Sequence, residues 1–355
     1  FKKFLPNSKV LEIQEFVSGH INETYLIITP EKRNYVLQKI NSFVFKKTKS
    51  LIENKVMLSD FLQSKTDTGE QLQFIRTSEG NPYFKDEKNG YWNMSVFIAG
   101  SKTYERVTTE SLAYEGGRLI GEFLNATSDF DPTQLDEILP NFHQMSFRFD
   151  QFEESLQTAQ KQRLKMAEEQ IDFALKNKDE MHLLQQYQEE GKIQPRVTHN
   201  DTKISNALFD ESGKGICLID TDTVMLGIAH YDFGDAVRTF CNTADEDETD
   251  LEIVRFNMDY FRAMARGFLE KMHKQLSVFD IACLGLAGKT ITFIMGLRML
   301  TDFLNNDVYY KTNYDNHNLD RAKNQFKLVM EIESFMGEMN AYVEAEYNKL
   351  NQRNN

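Results

Sequence analysis

The chain has 355 residues, and at about 100 to 200 residues per domain this length predicts two domains. Its net charge of −13 and pI near 5.1 argue against a strongly basic binding face, so we expect neither nucleic acid nor an anionic membrane as a partner. Cys217, Cys241 and Cys283 are too few and too widely spaced for a disulfide framework or a zinc site, which favours the reducing cytoplasm.

The sequence carries neither a membrane-span signal nor a secretory signal. The longest purely apolar run, IACLGLA, is far shorter than the roughly 20 residues that a membrane span requires. The first residues, FKKFLP, lack the apolar core of a secretory signal. Since they also lack a methionine, we expect the numbered chain to begin inside the gene product.

Residues 1–97 have the pattern of a small β-rich lobe. The runs LEIQEFV, TYLIIT, NYVLQKI and YWNMSVFI are short and apolar or alternating, and Gly, Asn and Pro separate them. Between the third and fourth runs, SLIENKVMLSDFLQS places apolar residues at helical spacing after a serine, which predicts one helix within the sheet region.

From residue 110 onward the pattern is helical. Apolar residues spaced by three and four predict amphipathic helices over 164–174 and 256–268. The segment 279–304 is apolar nearly all round and predicts a buried helix. The last segment, 318–350, mixes charged residues with apolar spacing and predicts a solvated surface helix.

The stretch IAGS at 98–101 is the best candidate for a hinge between these two parts. We therefore expect two domains, 1–97 for nucleotide binding and 98–355 for catalysis and substrate binding. The predicted fold class is α+β, with a small β-rich N-terminal lobe and a larger, mostly helical C-terminal lobe.

Polar residues are concentrated in HNDTKISN, residues 199–206, which apolar residues flank on both sides. Asp201 and Asn206 are five apart, and Asp220 follows 14 residues later at the end of GICLID, a predicted strand. Carboxylate and amide oxygens are the hard ligands that a cation on nucleotide phosphates prefers, so we predict Asn206 and Asp220 as metal ligands. Asp201 would accept the proton of an attacking hydroxyl. The order is that of a kinase phosphoryl-transfer site, with Lys203 placed to meet the transferred group.

Two other motifs are weaker candidates. The letters DFG occur at Asp232, but this residue lies 26 positions after Asn206, too far for the short hairpin that should return to the metal. We predict that Asp232 caps a helix or anchors the catalytic loop, with His199 also in a supporting role. The letters AGKT at 287–290 lack the first glycine of a Walker A loop, because Cys283 occupies its position, and helix core is the better account.

The N-terminal lobe should bind the nucleotide. The stretch SGHINETYLI lies between two predicted strands, where the backbone around Gly19, with Asn22 and Thr24, would approach phosphates. An ordinary hairpin turn is the alternative, since the stretch holds only one glycine. Lys39 ends the strand YVLQKI, where a kinase places its phosphate-binding lysine, and Glu53 on the following helix is its expected partner. Both charges would otherwise simply be solvated.

Four segments together, HNDTKISN, CLIDTDTV, YDFGDAVR and GLRMLTDFLNNDVYYK, resemble the aminoglycoside phosphotransferase and choline kinase superfamily. Within it the chain most resembles bacterial N-acetylhexosamine 1-kinases. The resemblance implies a protein-kinase-like fold, ATP and Mg²⁺ as cofactors, and transfer of the γ-phosphate to the anomeric hydroxyl of a sugar. It implies the same catalytic and metal-binding residues as above, and it adds Arg298 and Tyr310 as sugar-binding residues.

The acidic composition of the larger lobe supports a hydroxyl-rich substrate. Asp222, Asp235 and Asp302 are placed to accept hydrogen bonds from hydroxyls, as a neutral sugar would require. Arg298 either contacts this substrate or pairs with Asp302 one helical turn away. The gluco and galacto forms, with or without an N-acetyl group, remain open.

Other functions are also compatible with parts of the sequence. An aminoglycoside or a choline-like alcohol would suit an acidic pocket, although a cation projecting into that pocket, such as Arg298, would oppose both. A protein kinase is opposed by the missing APE element and the glycine-poor loop. A non-catalytic nucleotide-binding scaffold is opposed by the presence of the base, both metal ligands and the lysine.

Overall fold

A computed structural model describes residues 1–16, 21–31, 33–65 and 70–352. In these ranges the N-terminal part forms an antiparallel sheet of five strands in the order β1-β2-β3-β5-β4. The strands are β1 (Glu12–Glu15), β2 (Glu23–Ile28), β3 (Tyr35–Ile40), β4 (Phe84–Lys85) and β5 (Tyr91–Val96). The predicted α+β class, with a β-rich N-terminal lobe and a mostly helical C-terminal lobe, is confirmed.

One helix, α1 (Thr48–Gln63), packs against this sheet and also reaches the larger lobe. Leu51, Ile52 and Val56 bury their side chains in a cluster with Ile40 at the end of β3. Further along α1, Leu58 and Leu62 join the main core of the helical lobe. The N-terminal part of α1 is therefore packed against the sheet, and its C-terminal part is packed into the helical lobe.

The helical lobe is built around one large core. Its helices are α2 (Glu110–Ala126), α3 (Met145–Thr158), α4 (Lys161–Met166), α5 (Glu168–Met181), α6 (Leu183–Glu189), α7 (Ala229–Phe240), α8 (Met258–Met272), α9 (Val278–Ala282), α10 (Leu284–Leu304) and α11 (His317–Gln352). No helix in the described ranges is both long enough and apolar enough to cross a membrane.

The predicted hinge at 98–101 forms a turn in which Gly100 has φ +70°, a conformation that favours glycine. The Ser101 hydroxyl closes the turn by donating to the carbonyl of Ile98 at 2.7 Å. The division of the chain into 1–97 and 98–355 stays a prediction.

Three predicted helices differ from the observed ones. The helix over 164–174 is interrupted at Ala167, whose backbone leaves helical geometry, and the helix over 279–304 is interrupted at Cys283, which ends α9 and precedes α10. The AGKT stretch lies inside α10. The last helix is not simply a solvated surface helix: α11 packs along α10, and its apolar stripe, including Phe326, is buried.

Two small antiparallel sheets of two strands each carry the polar loop. Strands β6 (Arg196–Thr198) and β9 (Met225–Gly227) form one of them, and β7 (Ala207–Phe209) and β8 (Gly215–Leu218), which lie between these strands in the chain, form a hairpin as the other. The stretch 199–206 connects β6 to β7, and Asp220 follows β8. The two ladders therefore bring the predicted base and metal ligands to one edge, above the first turn of α7.

Candidate active site

The backbone of the loop 199–206 is held by one buried carboxylate. Asp232, in the first turn of α7, accepts the backbone N–H of His199 at 2.8 Å and that of Asn200 at 2.7 Å. The Thr202 hydroxyl donates to the carbonyl of Asp232 at 2.7 Å. Asp235 accepts the N–H of Thr202 at 2.9 Å. Asp235 also binds Arg238, so it is engaged and is not available as the expected acceptor for a substrate hydroxyl.

The imidazole of His199 supports the strand that leads to Asp220. Its Nε2 lies 2.9 Å from the carbonyl oxygen of Ile219, which can only accept, so Nε2 carries the proton. The Thr223 hydroxyl donates to the backbone carbonyl of His199 at 2.7 Å. These bonds join the loop after β6 to the segment after β8.

Asp201, Lys203 and Asn206 lie together at the centre of the loop. The Asn206 amide donates to the Asp201 carboxylate at 2.8 Å, and Lys203 Nζ lies 3.1 Å from the same oxygen. Partial burial opposes ionisation of Asp201, but the Lys203 charge and these hydrogen bonds outweigh it and lower the pKa of Asp201. Asp201 is therefore an ionised base whose orientation is fixed. Because the amide nitrogen of Asn206 faces Asp201, the amide oxygen of Asn206 faces away from Asp201.

Asp220 is open to solvent and has a left-handed backbone, with φ +58° and ψ +54°. Such backbone strain in a non-glycine residue is concentrated at functional sites. The surrounding protein and the negative charges of Asp222 and Asp201 raise the pKa of Asp220. This crowding of carboxylates favours a cation at this point. No group of three or more His, Cys, Asp or Glu side chains in the described residues could hold a metal ion, and Asn206 with Asp220 stays the predicted ligand pair.

The structure corrects the prediction that Asp222 accepts substrate hydroxyls. Its carboxylate is buried in an ion pair with Lys55 of α1 and also accepts the Asn22 amide at 2.5 Å. Lys55 in turn donates to the Gln38 side chain at 3.0 Å. Lys55 was missed at the sequence level, although it lies three and four residues from apolar positions of α1 and hence on the buried face of this helix.

The expected pair of Lys39 with Glu53 is wrong. Lys39 Nζ lies 2.8 Å from Glu23 on the neighbouring strand, and Glu53 pairs with Lys49 one turn earlier in α1. The reason is strand alternation: Gln38 faces Lys55, so its neighbour Lys39 points to the opposite side of the sheet.

The predicted phosphate-covering loop is only partly described. Gly19 lies outside the described residues. Asn22 accepts the backbone N–H of Asn41 at 2.9 Å, while its amide nitrogen reaches Asp222. Thr24 lies within β2, and its hydroxyl is 3.5 Å from the Gln38 amide. Asn22 therefore points toward the centre formed by Lys55 and Asp222, and Thr24 contacts the same strand residue, Gln38.

Arg298 does not pair with Asp302. The Asp302 carboxylate accepts the backbone N–H groups of Tyr309 and Tyr310, at 2.8 and 2.9 Å, and an amide from Asn318 at 2.9 Å. Asp302 is thus not a free acceptor for sugar hydroxyls either. It fixes the turn that carries Tyr310, whose ring centroid lies 5.6 Å from the Arg298 guanidinium carbon.

Polar groups without hydrogen-bond partners lie near Arg298. His143 is 8% exposed, and neither of its ring nitrogens has a hydrogen-bond partner among the described residues. The same is true of the Tyr310 hydroxyl. Burial, followed by the charges of Arg298 and Arg148, lowers the pKa of His143 well below its ordinary value, so the imidazole is neutral. His143 and Arg148, from the stretch FHQMSFR, are further candidate site residues that the sequence analysis missed.

Asp232 gives a testable pH dependence. Burial raises its pKa from an ordinary 3.8 to about 6, against the effect of the two backbone N–H groups and His199. Between about pH 4 and about pH 6, the folded protein keeps a proton that the unfolded chain releases, so the contribution of Asp232 to stability falls as the pH rises. Asp232→Asn is expected to remove this slope.

Urea unfolding of both proteins from about pH 4 to about pH 7 checks this expectation, since all other titrating groups are shared. The difference in unfolding free energy between wild type and Asp232→Asn should change across the window. A difference that stays constant with pH would contradict the raised pKa.

Comparisons with known proteins match most of the chain. Residues 12–266 match the model of the phosphotransferase enzyme family. A microcompartment-associated aminopropanol kinase superposes with a TM-score of 0.66 at 15% identity, over 94% of each chain. A spectinomycin phosphotransferase in complex with ADP and spectinomycin gives 0.57 at 13% identity, over 92% of this chain and 94% of its own. The choline kinase of Cryptosporidium parvum Iowa II gives 0.57 at 14% identity, over 92% and 90%. At these identities the structures show a shared fold, and the predicted kinase-like fold is confirmed.

Proposed function

Because the chain belongs to the phosphotransferase enzyme family and acts on an alcohol group, we propose that it transfers the γ-phosphate of ATP to the anomeric (C1) hydroxyl of a hexose. An N-acetylhexosamine is the specific substrate that we propose. The observation that carries this choice is the group of unpaired polar side chains around Arg298, beside a fixed aspartate base. We also propose that the protein is cytoplasmic, because its three cysteines are all free and buried, as in proteins of a reducing compartment.

The catalytic roles follow from the geometry of the loop. Asp201, held by Asn206 and Lys203, orients the sugar hydroxyl and accepts its proton. Lys203 offers a positive charge to the transferred phosphoryl group. Asn206 and Asp220 would hold Mg²⁺, which neutralises charge on the phosphate oxygens of ATP. Asp232 and His199 position this loop and do not take part in the transfer.

The residues around Arg298 recognise the acceptor. A neutral His143 ring offers one donor and one acceptor, the Tyr310 hydroxyl offers another of each, and Arg298 offers donors only. Sugar hydroxyls and an N-acetyl carbonyl can satisfy all of these groups, of which the His143 nitrogens and the Tyr310 hydroxyl have no hydrogen-bond partner among the described residues. The half-buried Arg148 guanidinium lies close enough for Arg298 to lower its pKa, after the larger effect of burial.

An amine-bearing alcohol is the second candidate. The similarity to an aminopropanol kinase and a choline kinase favours it. The positive charges of Arg298 and Arg148 oppose it, because an ammonium group beside them would meet like charges in a partly desolvated site.

ADP release with Mg²⁺ and ATP separates these two candidates. The panel contains N-acetylglucosamine, N-acetylgalactosamine, the parent hexoses, choline, aminopropanol and an aminoglycoside. We expect turnover with one of the sugars and little with the amines. Turnover confined to the amines would replace the sugar by the second candidate.

Arg298→Met is expected to raise KM for the sugar by about 10- to 150-fold, because a hydrogen bond to a charged group contributes about 1.5–3 kcal/mol. The KM for ATP should not change, since Arg298 lies on the acceptor side of the site. Initial-rate kinetics with each substrate varied in turn measure both values.

The matched control is Arg262→Met, which removes an exposed arginine that pairs with Asp259 on α8 and with Glu338 on α11. Its kinetics should equal those of the wild type. An Arg298→Met enzyme whose KM for ATP rises as much as that for the sugar would remove Arg298 from the acceptor site.

A further inference from the structure

A kinase-like site needs a cation at the nucleotide phosphates, and Lys39 of strand β3 does not supply it here. Lys39 pairs with Glu23 on the face of the sheet that points away from Lys55, and its Nζ lies 5.7 Å from the Trp92 ring centroid. Its side chain is 32% exposed. A charge that is solvated and paired on this face is not available between the lobes.

Lys55 of α1 has the properties that Lys39 lacks. Its side chain is 4% exposed, and its ammonium group is shared between Asp222 of the larger lobe and Gln38 of β3. Gln38 and Lys55 thus form a strand-to-helix contact in which the helix supplies the positive charge.

Two features of a nucleotide site lie beside this ammonium group. Asn22, directly before β2, donates to the same carboxylate that binds Lys55. That carboxylate belongs to Asp222, two residues after the proposed metal ligand Asp220. Through this carboxylate the cation is linked both to Asn22 and to the segment that carries Asp220.

The stability of the fold alone is a weak reason for a buried ion pair between Lys55 and Asp222. A buried ion pair costs desolvation of both charges, and well-packed apolar residues of similar size are often equally stable or more stable. An ion pair between the lobes, near Asp220 with its left-handed backbone, is instead typical of a site that binds a charged ligand.

We propose that Lys55 of helix α1, and not the strand residue Lys39, is the cation that binds the nucleotide phosphates, and that Asp222 positions it. This inference rests on the proposed function in assuming a nucleoside triphosphate between the lobes. Asp222 keeps the ammonium group at the cleft when the triphosphate is absent.

Calorimetric titration with AMP-PNP and with adenosine, both in the presence of Mg²⁺, tests the proposal. Lys55→Met should weaken AMP-PNP binding by about 10- to 150-fold, the range for losing a hydrogen bond to a charged group. Adenosine binding should not change, because adenosine carries no phosphate. Lys39→Met is the matched control, and it should bind both ligands as tightly as the wild type.

Lys55→Met leaves the Asp222 carboxylate buried without its cation, which is enough to prevent folding. The double variant Lys55→Met with Asp222→Asn removes both charges, and its folding can be checked by thermal unfolding. If Lys55 binds phosphates, this folded double variant binds AMP-PNP more weakly than the wild type does. If the pair is only structural, the double variant binds AMP-PNP like the wild type, and the proposal is overturned. Loss of AMP-PNP binding in Lys39→Met would also overturn it.

The substrate panel keeps this inference distinct from the proposed function. A wild type that phosphorylates a hexose while the double variant keeps full AMP-PNP affinity would reject only the role of Lys55. A wild type that phosphorylates no hexose, but whose AMP-PNP binding depends on Lys55, would reject only the proposed substrate.

Discussion

Asp201→Asn is expected to lower kcat by about 100- to 10,000-fold, the contribution that a positioned base makes to a proton transfer. The substitution keeps the size of the side chain and one acceptor for the Asn206 amide, but it removes the negative charge that Lys203 stabilises. The affinity for AMP-PNP should stay close to that of the wild type, because Asp201 acts on the acceptor hydroxyl.

Initial rates and calorimetric titration on the same preparation measure both effects. Asp129→Asn is a suitable control, because Asp129 is an exposed carboxylate that pairs with Lys65 on the surface, and such pairs contribute little. An Asp201→Asn protein that lost AMP-PNP binding while its remaining kcat stayed high would show that Asp201 is a nucleotide ligand and not the base.

Asp220→Asn is expected to lower the Mg²⁺-dependent rate by about 1000-fold or more, since a metal ion contributes several kcal/mol of charge stabilisation. Asparagine tolerates the left-handed backbone of Asp220, so the fold should be kept. Without metal, the variant should be more stable than the wild type, because it no longer places a third negative charge beside Asp222 and Asp201.

Thermal unfolding with AMP-PNP, with and without Mg²⁺, separates metal binding from catalysis. The wild type should gain stability from Mg²⁺ under these conditions, as any ligand of the folded state provides. Asp220→Asn should gain much less, whereas Asp232→Asn should still respond. The reverse pattern would make Asp232 the metal ligand and Asp220 a structural residue.

The sequence predicted the helices and loops that depend on neighbouring residues in the chain. Apolar spacing located α1, and the stretch HNDTKISN was predicted as one polar loop, which the structure holds on Asp232. The spacing between Asp201, Asn206 and Asp220 needed only one short hairpin, β7–β8, to bring these residues near one another. Local patterning thus predicted the part of the site that lies close together in the chain.

The errors concern contacts between distant segments. Pairing Lys39 with Glu53 depended on which face of β3 Lys39 occupies, and a shift of one residue reverses the face. Asp222 is bound by Lys55, 167 residues away in the chain. Asp302 is occupied by backbone N–H groups of a turn, which carry no side-chain signal in a sequence. In each case the partner is set by tertiary structure.

The position of the phosphate in the product tests the central claim most directly. Purified enzyme is incubated with Mg²⁺, ATP and N-acetylglucosamine or N-acetylgalactosamine, and the product is examined by ³¹P and ¹H NMR. Transfer to the anomeric hydroxyl predicts a phosphorus signal coupled to the proton on C1. A phosphate coupled to the protons on C6, or turnover in which neither sugar is phosphorylated while an amino alcohol is, would contradict the proposed reaction.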